Sequence, residues 1–273
     1  MTPSAVLSPP APPAGVGPLL RRWRDQRRLS QMELALEAAV STRHLSFVET
    51  GRSKPSRDMV VKLAEHLDVP LRERNELLLA AGYAPAYPES SFEDAEMTQV
   101  RDAVQRLLAA HEPFPAIAVD RRWELLAGNA GVPLLTAGVA AHLLEPPVNA
   151  LRLSLHPDGM APRTLNLPEW RAHILGRLRR EVTATQDPQL RALLAELEDY
   201  PGGEEDEGIP KPGAIVVPLR LEHEAGALSF MSTITTFGTP LDITVAELSI
   251  EAFFPADDHT AAVLRAALGS AGS

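Results

Sequence analysis

The chain has 273 residues, with 26 Lys or Arg against 36 Asp or Glu, a net charge of −10 and no cysteine. That length suits one large domain or two modest ones. The missing thiols exclude disulfides, thiolate metal sites and cysteine nucleophiles, and the acidic balance argues against a protein coated in nucleic acid. The charge is uneven, however. Residues 15–57 carry nine Lys or Arg and four Asp or Glu, a local +5, whereas residues 58–273 carry 17 against 32, or −15. A basic segment on an acidic body favours local contact with a polyanion in one orientation.

The first 15 residues hold five prolines. They have no charged n-region and no sustained apolar run, so they read as a disordered tail and not as a signal peptide. Leu19, Leu20, Trp23 and Arg27 then mark the face of a first helix. Ser30 with Glu33 forms a capping box that opens a second, with Leu34, Ala35 and Ala38 inward and Val40 at the corner. Ser41 caps a third helix, whose Leu45 and Val48 point inward and which Gly51 stops in a left-handed turn. Ser56 caps a fourth, with Val60, Leu63, Ala64 and Leu67 on one stripe. Residues 71–81 form a fifth, ending at Gly82.

Helix, tight turn, helix and basic loop over residues 30–56 make a unit that puts the start of its second helix into the DNA major groove. Thr42, Arg43 and His44 follow the Ser41 cap and reach toward base edges. An Arg43–guanine pair is worth roughly 1–3 kcal/mol of discrimination. Arg52, Lys54 and Ser56 on the following loop suit phosphate contacts, which position without specifying. Arg21, Arg24 and Arg28 are weaker candidates. The run Ser30-Gln31, Leu34-Ala35, Val40-Ser41, Leu45-Ser46, Glu49, Gly51-Arg52, Pro55-Ser56 and Leu63-Ala64 resembles the Xre family, the lambda-repressor-like helix-turn-helix regulators. The resemblance implies a phosphate-clamping role for Gln31. One departure is Ala39, where the family usually has glycine. A left-handed alanine costs about 1–2 kcal/mol.

The domain boundaries read as a tail over 1–15, a helix-turn-helix domain over 16–84, a linker over 85–92 and a second domain over 93–270. Val100, Val104, Leu107 and Leu108 mark a helix through Ala110. Ala116 to Val119 reads as a short strand, with residues 123–126 as its partner. Residues 129–135 start a small helix. Residues 125–144 hold no charge, but Gly, Pro133, Asn129 and His142 interrupt them, so no membrane span is expected. Residues 151–167 read as loop. Helices follow from Pro168 to about Thr183 and from Pro188 to Asp199. The acidic stretch 202–208 is a loop tip. Residues 214–221, 227–237 and 242–253 are β-rich runs, and Asp258 opens a last helix. Two strands, then helices, then three strands is a PAS-like order: a five-stranded antiparallel sheet with helices over one face. The fold class is therefore α+β, an all-α five-helix domain followed by that sheet.

A sheet half-covered by helices is a natural place for a small-molecule pocket. Trp123, Trp170, Phe230, Met231 and Phe237 are the bulky apolar candidates for its wall. His156, Arg163, Arg171 and His173 are the candidates to meet an anionic head group. The segments Val119-Asp120-Arg121-Arg122-Trp123 with Asn129, Leu153-Ser154-Leu155-His156-Pro157, Pro168-Glu169-Trp170-Arg171, residues 226–238 and Phe253-Phe254-Pro255-Ala256-Asp257 resemble the MmyB-like ligand-binding domain found behind Xre domains. That resemblance implies a transcription regulator whose PAS-like domain takes a small, largely apolar ligand, fatty-acyl compounds above all. Zinc-protease helices, phosphate-binding glycine loops and Gly-x-Ser-x-Gly elbows are missing, and the eight histidines form no close pair in sequence. Neither catalysis, a cofactor nor a metal is expected. The reading is a cytoplasmic homodimer, repressor before activator, on an inverted-repeat operator in double-stranded DNA, with half-sites roughly 34 Å apart. The rivals are a constitutive DNA-binding and dimerisation protein with a filled core, and an enzyme fused to a DNA-binding domain.

Overall fold

The computed structural model describes residues 15–202 and 216–269. The proline tail and acidic stretch, apart from their innermost residues, lie outside the described residues, as do the first two residues of the 214–221 run. The chain divides into two compact units, one up to Pro88 and one from Glu89.

The first unit holds α1 (Val16–Gln26), α2 (Gln31–Glu37), α3 (Thr42–Glu49), α4 (Arg57–His66) and α5 (Leu71–Ala80). Three serines set its helix starts. Ser30 Oγ accepts from the Glu33 N–H at 3.2 Å while the Glu33 carboxylate accepts from the Ser30 N–H at 2.7 Å, so the box closes reciprocally. Ser41 caps α3 through the His44 N–H, and Ser56 caps α4 through the Met59 N–H. Ala39 sits at φ +50°, the left-handed turn its sequence position demands, and Gly51 stops α3 at φ +71°. Leu20, Trp23, Leu34, Leu45, Val48, Leu63 and Leu78 fill the centre. Arg27 also serves structure. Its guanidinium donates to the carbonyls of Leu67 and Asp68, at the C-terminal end of α4, where a cation is favoured. The start of the expected linker is tied down as well: Asn75 Oδ1 accepts from the Ala86 and Tyr87 N–H groups.

The second unit opens with α6 (Thr98–Ala110) and β1 (Ala116–Val119). After them come β2 (Leu125–Gly128), α7 (Val132–Leu135), α8 (Ala150–Leu155), α9 (Leu167–Thr185) and α10 (Pro188–Glu198). It closes with β3 (Leu219–Leu221), β4 (Leu228–Thr236), α11 (Ile243–Glu247), β5 (Ser249–Pro255) and α12 (Asp258–Gly269). The strands form one antiparallel sheet in the order β2-β1-β5-β4-β3, the expected five-stranded sheet, but helices pack on both of its faces and not on one. Among the described residues no helix is long and apolar enough to cross a membrane.

Three local expectations need correction. Residues 151–155 of the expected loop belong to α8, because Asn149 Oδ1 caps that helix by accepting from the N–H groups of Leu151 and Arg152. The β-rich run from Asp242 is interrupted by α11, whose start Asp242 caps through Thr244 and Val245, so the strand begins only at Ser249. The partner of β1 starts at Leu125, two residues late, because Trp123 is left-handed at φ +65° and the register shifts between Ala118 and Val119.

The register assigns the two faces of the sheet. Ala116, Ala118 and Ile250 pack with Val104 and Leu108 of α6. On the opposite face Ile117, Val119, Phe230 and Phe253 join Trp170, Ile174 and Leu178 of α9 in the larger core.

Candidate DNA-contacting face and ligand cavity

In the first unit Ser41, Thr42 and Arg43 are exposed at the start of α3, and His44 is half-buried. The Arg43 guanidinium lies 5.4 Å from the Phe47 ring, which supports its stem without enclosing its charge. Arg52, Lys54 and Ser56 are exposed on the loop between α3 and α4. The Tyr83 hydroxyl donates to the Pro55 carbonyl at 2.9 Å, and Lys54 Nζ sits 5.0 Å from the Tyr83 ring, so that loop is braced. The Ser56 hydroxyl oxygen accepts from the Met59 N–H. Gln31 is half-buried, and its amide donates to Glu49 Oε2 at 2.7 Å.

Arg24 is the correction here. It is buried and bonded to Glu49, which holds its pKa above the ordinary value, so it is a core residue and not a backbone contact. Arg21 and Arg28 are exposed, Arg21 beside Asp25 at 3.7 Å.

The second unit holds a partly open cavity of about 210 Å³ between the sheet and α7, α8 and α9. Its wall is apolar on most sides, aliphatic at Ile117, Leu135, Leu151, Met160 and Ile174 and aromatic at Phe253 and Trp170. Trp170 Nε1 donates to Ser154 Oγ at 2.8 Å, so a buried polar atom is satisfied inside the wall. His173 stacks on Trp170, with ring centroids 5.5 Å apart. Burial lowers the His173 pKa, helped by Arg177 and Arg180, which favours the neutral ring.

The polar end of the cavity is Glu251 with Arg177. Glu251 is buried on β5, and Arg177 Nη1 reaches it at 3.5 Å. The same guanidinium pairs with Glu181 at 3.4 Å and lies 3.9 Å over the Trp123 ring, while Trp123 Nε1 donates to Glu181 Oε2 at 2.9 Å. Burial pushes the Glu251 carboxyl above the usual carboxylate range, against the pull of Arg177 and Ser232.

Of the nine candidates for the pocket, Trp170 and His173 line this cavity. Trp123 and Phe230 are buried in the adjoining core, outside the wall. Phe237 packs against the α6 side of the sheet. Met231 is exposed on the face opposite Phe230. The Arg163 guanidinium donates to the Leu135 carbonyl, the Arg171 guanidinium to the Glu198 carbonyl, and His156 packs on Tyr200. Sequence reasoning missed Ser154, Arg177 and Glu251. Ser154 lay inside a quoted motif, whereas nothing in the charge pattern separates Glu251 from the other acids of the chain.

The profile for the MmyB-like transcription regulator ligand-binding domain matches residues 100–267. The chain belongs to that family. A helix-turn-helix profile matches residues 16–77, so a DNA-binding domain precedes the ligand-binding one. The chain is similar to the HTH-type transcriptional regulator RghRB of Bacillus subtilis, 32% identical over 112 residues that cover 40% of this chain and 78% of that one. It is also similar to an HTH-type transcriptional regulatory protein of Methanoculleus marisnigri, 33% identical over 40% of this chain, which spans 36% of that relative's length. A solved structure of an RNA-binding light-oxygen-voltage receptor aligns over 92% of this chain and 59% of its own at 15% identity, with a TM-score of 0.27 that carries no argument. The chain thus joins a helix-turn-helix domain to the ligand-binding domain of the MmyB-like transcription regulators.

Proposed function

We propose that this regulator binds an inverted-repeat operator as a homodimer and answers to a small apolar or acyl-type ligand held between the sheet and α9. DNA is read by Thr42, Arg43 and His44 at the start of α3, with Gln31, Ser41, Arg52, Lys54 and Ser56 toward the phosphates. The observation that supports the sensing half is the cavity itself: about 210 Å³ with a mostly apolar wall and one charged end. A wall so largely apolar gains by exchanging water for an apolar guest, while the charged end can orient a polar head. This favours a sensor over a constitutive DNA-binding protein with a filled core. Ligand then changes DNA affinity only as far as it prefers one of two states of the dimer.

The test is fluorescence anisotropy on the gene's own upstream DNA, with and without a series of fatty acids. Specific binding that weakens or strengthens with one chain length supports the reading. Binding indifferent to every acyl compound, together with no shift in melting temperature, would refute the sensing half.

A further inference from the structure

The second unit gathers a set of donors away from the cavity's polar end. His142, His156 and Asp158 present nitrogen and oxygen atoms that all lie within 4.8 Å of one another. They come from two segments. His142 sits on a 3₁₀ turn over Ala141–Leu143, and His156 and Asp158 follow the end of α8. The Ala140 N–H donates to the Asp158 carbonyl at 2.9 Å and so joins the segments beside the three side chains. The turn after His156 needs Gly159: a Cβ there would stand 2.4 Å from the Leu153 carbonyl oxygen. That close return brings Asp158 Oδ2 to 4.0 Å from His156 Nδ1.

His156 Nδ1 accepts from the Asp158 N–H at 3.0 Å, so its lone pair points into the turn. The His142 and His156 rings meet edge to face at 5.8 Å. The His156 ring is held from its other side by Tyr200, with ring centroids 5.0 Å apart, and the Tyr200 hydroxyl donates to Glu196. Among the described residues no other three side chains of these types come together.

We propose that His142, His156 and Asp158 form a binding site for a divalent transition-metal ion of the zinc type. Two imidazoles and a carboxylate are borderline donors, which favour zinc, cobalt or nickel over magnesium or calcium. Tetrahedral zinc at about 2.0–2.1 Å from each donor needs donors about 3.4 Å apart. His142 and Asp158 are exposed, so side-chain rotation closes the difference. The ion takes over the Nδ1 lone pair from the Asp158 N–H, and water fills the fourth position. Both joined segments supply cavity wall, through Leu144 near His142 and through Leu153 and Met160 on either side of His156. A bound ion therefore restrains that wall.

The experiment is titration of the tag-free full chain with Zn²⁺ by calorimetry and with Co²⁺ by visible absorption. One ion per chain is expected, with Co²⁺ bands of a low-coordinate nitrogen and oxygen site. His142→Ala and Asp158→Asn should each weaken binding about tenfold or more. Both should leave the metal-free melting temperature unchanged, since the side chains are exposed. A chain that takes up no stoichiometric ion, or an affinity unchanged in either variant, overturns the assignment.

Discussion

Arg24 and Glu49, 25 residues apart in sequence, meet in a buried two-point ion pair. Arg24 Nε lies 2.7 Å from Glu49 Oε1, and Nη2 lies 3.0 Å from Oε2. Gln31 donates to the same carboxylate, so one buried acid ties α1, α2 and α3 together. Arg24→Ala strands that acid with a single amide partner. Removing one half of a buried pair costs roughly 3–5 kcal/mol. The urea midpoint of the helical unit should fall accordingly; an unchanged midpoint would mean that the pair contributes nothing.

Arg43 presents the opposite case, an exposed cation whose removal unfolds nothing. Arg43→Ala should lower operator affinity by about 1–3 kcal/mol and relax preference at one base position, with an unchanged melting temperature. Lys54→Ala should instead weaken binding to all duplexes alike and reduce the slope of log affinity against log salt by about one. Anisotropy at several salt concentrations separates the two. Equal losses on specific and unrelated DNA for Arg43→Ala would remove it from base readout.

Ala39 holds a left-handed turn at φ +50°. Ala39→Gly relieves about 1–2 kcal/mol of local strain and gives back part of it in unfolded-chain entropy. The net expectation is a gain of about 1 kcal/mol in chemical denaturation, with the α2–α3 corner intact. A loss of stability would show that alanine sits there without strain.

The cavity can be tested by filling it. Ile174 is buried on α9 and faces the void. Ile174→Trp should occupy that space, hold or raise the melting temperature, and displace a fluorescent acyl probe from the wild-type level of uptake. Overpacking in a filled core would instead cost about 1–3 kcal/mol. A destabilised variant that still takes up the probe would place the ligand elsewhere.

Glu251 supplies a pH test. Arg177, Glu181 and Ser232 act on it, and His173 lines the same cavity. Burial raises its pKa above the ordinary 4.5, so the folded chain binds the proton more tightly than the unfolded one. That contribution is complete below 4.5 and is lost as pH rises through the elevated value. Glu251→Gln is neutral throughout. It should match the wild type near about pH 4 and melt at a higher temperature near neutral pH. A difference independent of pH would contradict the raised pKa.

Much of this fold was legible because its signals are local. Ser30, Ser41 and Ser56 each stand three residues before the N–H they cap, and such caps survive any tertiary context. The misreadings come from side chains that cap where composition suggests otherwise. Asn149 starts α8 directly after two prolines and a valine, and Asp242 turns a β-branched run into α11. The cavity was the least legible part. Whether an aromatic lines a void depends on sheet face and on what packs opposite. Phe230 and Phe237 are seven positions apart, so alternation puts them on opposite faces, yet neither reaches the wall. Arg24 went astray for a related reason: a surface-looking charge needs a distant acid to become interior, and Glu49 is that acid.

The hollow beside Trp170 has a further consequence. The apolar side chains around it lack part of the contacts that a filled core would give them. A guest that fills it therefore protects the chain from proteolysis, and cellular abundance rises with the guest's concentration. The regulator's own lifetime becomes a second readout of what it carries.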